Sequence, residues 1–166
     1  MGLFDRLKNA ATPRSAEPEA RVRALPDPGD AAVRDLPLTP ESRRIGDDER
    51  ARIAEALAAI EAEGVDVDDL ASIAAGLDRA LLDWQERRGD DHDAIVERFS
   101  IGIGEHLVRT TDLAWSVVTD VFGTDLAVSA GDFVVVPSNL VAVRWMRRET
   151  GWVPPVVGHI VGLRNR

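Results

Sequence analysis

Apolar residues recur every three or four positions through the middle of the chain, a pattern that predicts three amphipathic helices. Their apolar stripes are Ile53, Leu57 and Ile60, then Leu70, Ile73, Leu77, Leu81 and Trp84, then Ile95, Phe99, Ile103 and Leu107. Aspartates before each helix offer N-caps, and Gly64 is suited to ending the first. Because the link between the first two helices is short, we expect them to form an antiparallel hairpin. Gly102 and Gly104 lie inside the third helix, where we expect them to allow a close helix–strand approach.

From Leu113 onward the apolar period changes to two, which predicts a strand with Trp115 and Val117 on one face. Turn sequences separate this strand from two more, over 124–129 and 133–136. Pro137 ends the last strand, and a fourth helix is expected over Asn139–Thr150. The predicted class is α+β: a helical hairpin and a third helix packed on a three-stranded antiparallel meander, followed by a C-terminal helix.

The ends of the chain differ from this domain, which we place at residues 46–151. Six of the nine prolines lie between positions 13 and 40, so residues 1–45 are predicted to be a flexible, Pro-rich leader with a disordered N-terminus. One helical turn would place Leu3, Phe4 and Leu7 on one side, which fits either a docking or membrane-touching motif or a frayed terminus. The tail, 152–166, is apolar and basic, and could form a last helix, an added strand or a docking segment.

Composition excludes several kinds of chemistry. The 166 residues include no cysteine, which excludes disulfides, thiol nucleophiles and thiolate metal sites. A net charge of −9 argues against nucleic acid as a partner. No apolar run is long enough for a membrane span, and none has the form of a signal peptide, so a cytoplasmic protein is expected.

The charge is segregated along the chain. Residues 1–44 carry +1, residues 45–100 carry −10, and residues 101–166 are neutral. Within the neutral part, Arg144, Arg147 and Arg148 have the spacing of one helix face, and guanidinium groups so arranged can bind carboxylates or phosphates. The simpler interpretation is that these arginines are solvated or pair with acids of the same chain.

Few residues have the arrangement of a catalytic site. Glu105 and His106 are neighbours on the third predicted helix; His106 could act as a general acid or base, but a hydrogen-bonded core or boundary histidine is the more common case. A metal site formed by His106 with His159 and Asp125 has no support from spacing, and no metal or other cofactor is predicted. Trp152 lies before a Val-Pro-Pro run and is the best candidate for an exposed aromatic anchor.

Four stretches resemble a bacterial family of domains of unknown function: Ile101–Val108 with its GEHLV motif, Leu113–Trp115, Phe122–Val128 with GTDLAV, and Val136–Trp145 with P-x-N-L-V-A-x-R-W. The resemblance covers roughly residues 48–150 and implies a small α+β domain without an assigned activity. With charge segregation and no catalytic motif, the sequence favours a non-enzymatic module that binds an unidentified protein or has a regulatory role. The alternative is a small-molecule-binding protein or minor enzyme with a pocket near Glu105, His106 and Trp115.

Overall fold

The computed structural model describes residues 40–87, 92–121 and 123–166. In chain order, the described elements are β1 (Glu41–Arg44), α1 (Asp47–Ala62), α2 (Leu70–Arg87), α3 (His92–Thr110), β2 (Ala114–Asp120), β3 (Gly123–Ala130), β4 (Phe133–Val135), α4 (Pro137–Met146) and α5 (Val153–Arg164). This arrangement confirms the predicted α+β class. Within these ranges, no helix is both long and apolar enough to cross a membrane.

The three predicted apolar stripes meet in one core. Ile60, Ile73, Leu81, Phe99, Ile103 and Leu107 are almost completely buried. Both α1 and α2 pack against α3. The two helices of the expected hairpin are therefore held together mainly by their packing on α3 rather than by contact with each other. Gly102 serves this packing, because an added Cβ would lie 2.7 Å from Cδ1 of Ile60 on α1.

The start of α1 is fixed by Glu49 rather than by the aspartates that the sequence suggested as caps. The Glu49 carboxylate accepts a 2.6 Å hydrogen bond from the backbone N–H of Gly46 and a second from Arg43 in β1. These two donors, with the guanidinium contributing most, lower the pKa of Glu49 to about 2. The contact ties β1 to the first helix.

Over the described residues, the sheet has four antiparallel strands in the order β1-β2-β3-β4, one more than predicted. The meander of β2, β3 and β4 is as expected, and the additional strand is β1, at the end of the predicted leader. It pairs along β2, with Ser42 opposite Val118 and Arg44 opposite Ser116. The sequence did not reveal this strand because its four residues are all exposed and have no apolar alternation. The other leader residues before Pro40 lie outside the described residues.

The two faces of the sheet have different surroundings. Trp115, Val128 and Val135 share one face, which packs on α3 and contributes to the core. Ser116, Val118 and Ala127 lie on the opposite face, called here the outer face, because successive residues of a strand point to opposite sides.

The fourth helix ends earlier than predicted, and the tail is helical. Helix α4 stops at Met146 because Arg148 adopts a left-handed conformation, φ 56°, and the N–H of Glu149 bonds back to the Arg144 carbonyl. After Gly151, the predicted tail forms α5, whose buried Val153 and Val157 extend the core.

Candidate binding site

Trp115 lies at the centre of the candidate site, between the sheet and α3. Its ring crosses the helix at Gly104, where an added Cβ would come within 2.2 Å of the ring atom Cη2. Real Cβ atoms do not approach so closely, so only glycine at 104 allows the observed ring position. The expected close helix–strand approach is confirmed at this residue.

A chain of polar contacts holds the Trp115 ring from one side. The indole Nε1–H donates to the Glu105 carboxylate at 2.9 Å, and the other oxygen of Glu105 accepts from Arg109 at 2.9 Å. Arg109 also donates to Asp68 at 3.0 Å, in the loop before α2. The bonds to Asp68 and Glu105 raise the pKa of Arg109, which therefore stays charged. The network links three parts of the fold and fixes the ring in one orientation.

Beside the ring, a surface cleft of about 130 Å³ opens between α3, β3 and the start of α4. The walls of this cleft are largely apolar: Val96, Ile101, Trp115, Leu126 and Pro137. Two hydroxyl-bearing residues, Ser100 and Ser138, complete the interior, and the Ser100 hydroxyl is already bonded to the Val96 carbonyl at 2.6 Å. The interior is therefore suited to an apolar group.

Charged residues form the rim of the cleft. Among the cleft-lining residues that the structure describes, the carboxylates are those of Asp93, Glu97 and Asp125, and the guanidinium group is that of Arg52. Glu97 is paired with Arg52, and Asp93 lies 3.0 Å from the His92 ring, so the negative character of this part of the rim comes mainly from Asp125. A group entering the cleft is favoured electrostatically if it brings a positive charge beside its apolar part.

Of the three residues predicted to surround a pocket, Trp115 alone lines this cleft. His106 is buried, 6% exposed, and its Nδ1 lies 2.8 Å from the Val67 carbonyl. It is thus a hydrogen-bonded core histidine, the case that the sequence favoured, and it does not line this cleft. Glu105 acts behind the ring, through its bonds to Trp115 and Arg109.

The predicted arginine stripe does not form one helix face, because α4 ends before Arg147 and Arg148. Arg144 is only partly exposed: its guanidinium carbon lies 4.6 Å from the centroid of the Trp152 ring, and it donates to the Leu140 carbonyl at 3.1 Å. Arg147 is exposed, 3.7 Å from Glu149, and Arg148 is exposed beyond the helix end. The three arginines therefore differ in role, and Arg144 is a packing residue.

Trp152 is not the exposed anchor that the sequence suggested. Only 7% of it is exposed, and it belongs to the main core. The reason is helix α5, one of the three forms that the sequence left open for the tail: Trp152 is its N-cap residue, and the Arg144 guanidinium lies over its ring.

The cleft includes residues that sequence reasoning did not identify, among them Arg52, Ser100 and Leu126. Leu126 lies opposite Val117 in the sheet register, so the alternation of β3 placed it on the same face as Trp115. A signal for Ser100 was its position inside the apolar run from Phe99 to Ile101. The sequence contains no signal for Arg52, because this residue lies on a different helix, α1, and meets α3 only in the folded chain.

The fold and this cleft define the chain as an α+β domain in which an antiparallel sheet packs helices on one face and leaves a small cleft between them. The chain belongs to the family described as Domain of unknown function (DUF3806), whose family model matches residues 69–154. Every residue that lines the cleft except Arg52 falls within that range. No curated protein matches the chain, and no solved structure does.

Proposed function

We propose that this domain is a protein-binding module whose cleft takes one apolar side chain of a partner, next to a basic residue. The observation that carries the proposal is the volume and lining of the cleft beside Trp115. Apolar walls and a rim with excess negative charge favour a partner segment in which a large apolar residue is flanked by Lys or Arg.

At this cleft, the volume favours a single side chain over a cofactor or drug-sized ligand. Pockets for cofactors and drug-sized ligands measure roughly 300–1,000 Å³, whereas a cavity of about 150 Å³ accommodates a benzene-sized group. At about 130 Å³, the cleft matches one aromatic or branched aliphatic side chain. Single anchoring side chains in preformed pockets are a common basis of protein–protein recognition.

The polar network supports the same function by limiting the cost of binding. Because Glu105 and Arg109 hold the Trp115 ring in place, the wall of the cleft is preorganised and little ordering is needed when a partner binds. In this proposal, Glu105 positions the Trp115 ring.

The proposal is tested by selecting binders from a library of random 12-residue peptides displayed on phage, with the full chain immobilised. We expect enrichment of peptides with Leu, Ile, Phe or Trp next to Lys or Arg. Full burial of such a side chain contributes about 1.5–3 kcal/mol, so Ser138→Trp, which fills the cleft, should weaken the selected peptides about 10- to 100-fold. Leu163→Trp, at an exposed position of α5, is the matched control and should leave their affinity unchanged.

Enrichment of acidic peptides would contradict the proposal, and so would peptides that bind wild type and Ser138→Trp equally well. Asp125→Lys separates the two parts of the argument. It should weaken peptides with basic residues while leaving the preference for an apolar residue intact.

A further inference from the structure

A second cavity lies between three helices, at the end of α1 and between α2 and α3. Its volume is about 320 Å³, more than twice that of the cleft, and the two cavities share no lining residue. Pockets that bind small molecules measure roughly 300–1,000 Å³. This cavity is therefore large enough for a whole small molecule, whereas the cleft is not.

Arg98 on α3 brings a guanidinium group to this cavity. Its Nη2 lies 2.9 Å from the Glu63 carboxylate, which orients the side chain toward the end of α1. Its Nε is buried and has no hydrogen-bond acceptor within the described part of the chain. Because a guanidinium group has several N–H donors and buried donors are nearly always bonded, Arg98 has donor capacity that the fold itself does not use.

Arg79 on α2 brings a second guanidinium group to the same cavity. This side chain is exposed, and over the described residues it has no carboxylate partner. The planar N–H fork of arginine matches the two oxygens of a carboxylate or the oxygens of a phosphate group. Two such groups in one cavity repel each other, and an anion placed between them turns that repulsion into attraction.

The other lining residues indicate which anion fits. The carboxylates of Glu63 and Asp83 also line the cavity, so its four ionic side chains sum to no formal charge. A singly charged group is repelled less by these carboxylates than a phosphate monoester, which carries about two charges. Ala80 and the buried Ile95 supply an apolar wall beside the arginines. The lining thus favours a molecule with one carboxylate and an apolar part.

We propose that this cavity binds a small monocarboxylic acid. Its carboxylate lies between Arg79 and Arg98, and its apolar part lies against Ala80 and Ile95. The site is separate from the cleft, and binding there does not depend on the proposed peptide-binding function.

Benzoate, which combines one carboxylate with one apolar ring, is the probe for this site. It is titrated at neutral pH into the ¹⁵N-labelled full chain, and the backbone resonances of Ala80 and Ile95 report on the cavity. We expect these signals to shift saturably, with a Kd in the millimolar range for a ligand of so few atoms. Benzamide has the same shape without the charge, and it should bind at least about tenfold more weakly because it lacks the charge-assisted hydrogen bonds.

A pair of arginine variants tests the residues themselves. Arg79→Gln removes one guanidinium group at an exposed position, so the fold should persist while benzoate binds about tenfold more weakly. Arg50→Gln is the matched control, since Arg50 is also exposed and lies in the first turn of α1, about 20 Å from Glu63 at the other end of that helix. Its affinity for benzoate should equal that of the wild type.

The proposal is overturned if Ala80 and Ile95 show no saturable shift, whether or not an acidic peptide binds there instead. Equal affinity for benzoate and benzamide would also contradict it, as would tighter binding of phenyl phosphate or an unchanged affinity in Arg79→Gln. Shifts of the Trp115 indole signal that Ser138→Trp abolishes would place benzoate in the cleft, which is a further contradicting result. None of these outcomes changes the result expected from peptide selection, so the two proposals fail separately.

Discussion

The substitution Gly104→Ala tests the placement of Trp115 most sharply. A Cβ at this position would lie 2.2, 2.8 and 3.0 Å from three atoms of the six-membered part of the indole. Replacing glycine by alanine inside a helix normally stabilises by about 1 kcal/mol. Here the gain is opposed by overpacking, which costs about 1–3 kcal/mol when a ring or helix must shift. We therefore expect Gly104→Ala to lower the free energy of unfolding, by up to about 2 kcal/mol.

Two comparisons isolate the contact from the general effect of alanine. Gly162 lies in helix α5, where an added Cβ would meet no atom within 4 Å, so Gly162→Ala should stabilise by about 0.5–1 kcal/mol. In a Trp115→Leu background, the clashing ring atoms are absent, so Gly104→Ala should be neutral or stabilising. The interaction free energy between the two substitutions should therefore be about 1–3 kcal/mol. Urea unfolding followed by circular dichroism measures the free energies of all these variants. If Gly104→Ala stabilises the wild type as much as Gly162→Ala does, the ring does not lie against this glycine.

Three further predictions concern the supports of the fold and site. Arg148→Gly should raise the free energy of unfolding by about 0.5–1 kcal/mol in urea titrations, because the left-handed conformation at this helix end strains a residue with a Cβ; an equal or lower stability would contradict this. Folding lowers the pKa of Glu49, so the contribution of its carboxylate to stability is complete above the unfolded pKa near 4.5 and is lost as the pH falls toward about 2. The difference in urea midpoint between wild type and Glu49→Gln should therefore shrink between pH 6 and pH 2. A difference that stays constant over this range would refute the Arg43–Glu49 contact. Arg144→Glu should reduce thermal stability, because it removes the contact with Trp152. Arg147→Glu should change neither the stability nor the affinity of peptides for the cleft. If Arg147→Glu loses peptide affinity, the peptides bind at the end of α4 instead of in the cleft.

The elements that the sequence predicted correctly are those with strong periodicity. The stripe from Leu70 to Trp84 specifies both the length and the buried face of α2, and the alternation around Trp115 does the same for β2. Strand β1 was missed because pairing along β2, rather than burial of an apolar face, defines it. Helix α5 was left open because its prolines and glycines lower local helix propensity, while packing of Val153 and Val157 on α2 and α3 stabilises it.

The candidate site was predictable only in part. The sequence placed Trp115 and Glu105 on neighbouring elements, and Gly104 indicated a close approach. It gave no means of knowing that the Glu105 carboxylate turns to the indole while His106 turns to the Val67 carbonyl, since both depend on which side of α3 the sheet occupies. The rim combines Arg52, Glu97 and Asp125 from three elements, and such a set appears only when the chain is folded.

The most direct test of the binding function is an NMR titration of the ¹⁵N-labelled full chain with a selected peptide. The indole N–H resonance of Trp115 is assigned by its disappearance in Trp115→Phe, and the backbone resonances of Ile101 and Leu126 report on the other walls. The proposed function predicts that these signals shift together and saturably in wild type and in Leu163→Trp, and do not shift in Ser138→Trp at the same peptide concentration. Saturable shifts confined to Met146–Arg148, with the Trp115 signal unchanged, would contradict it.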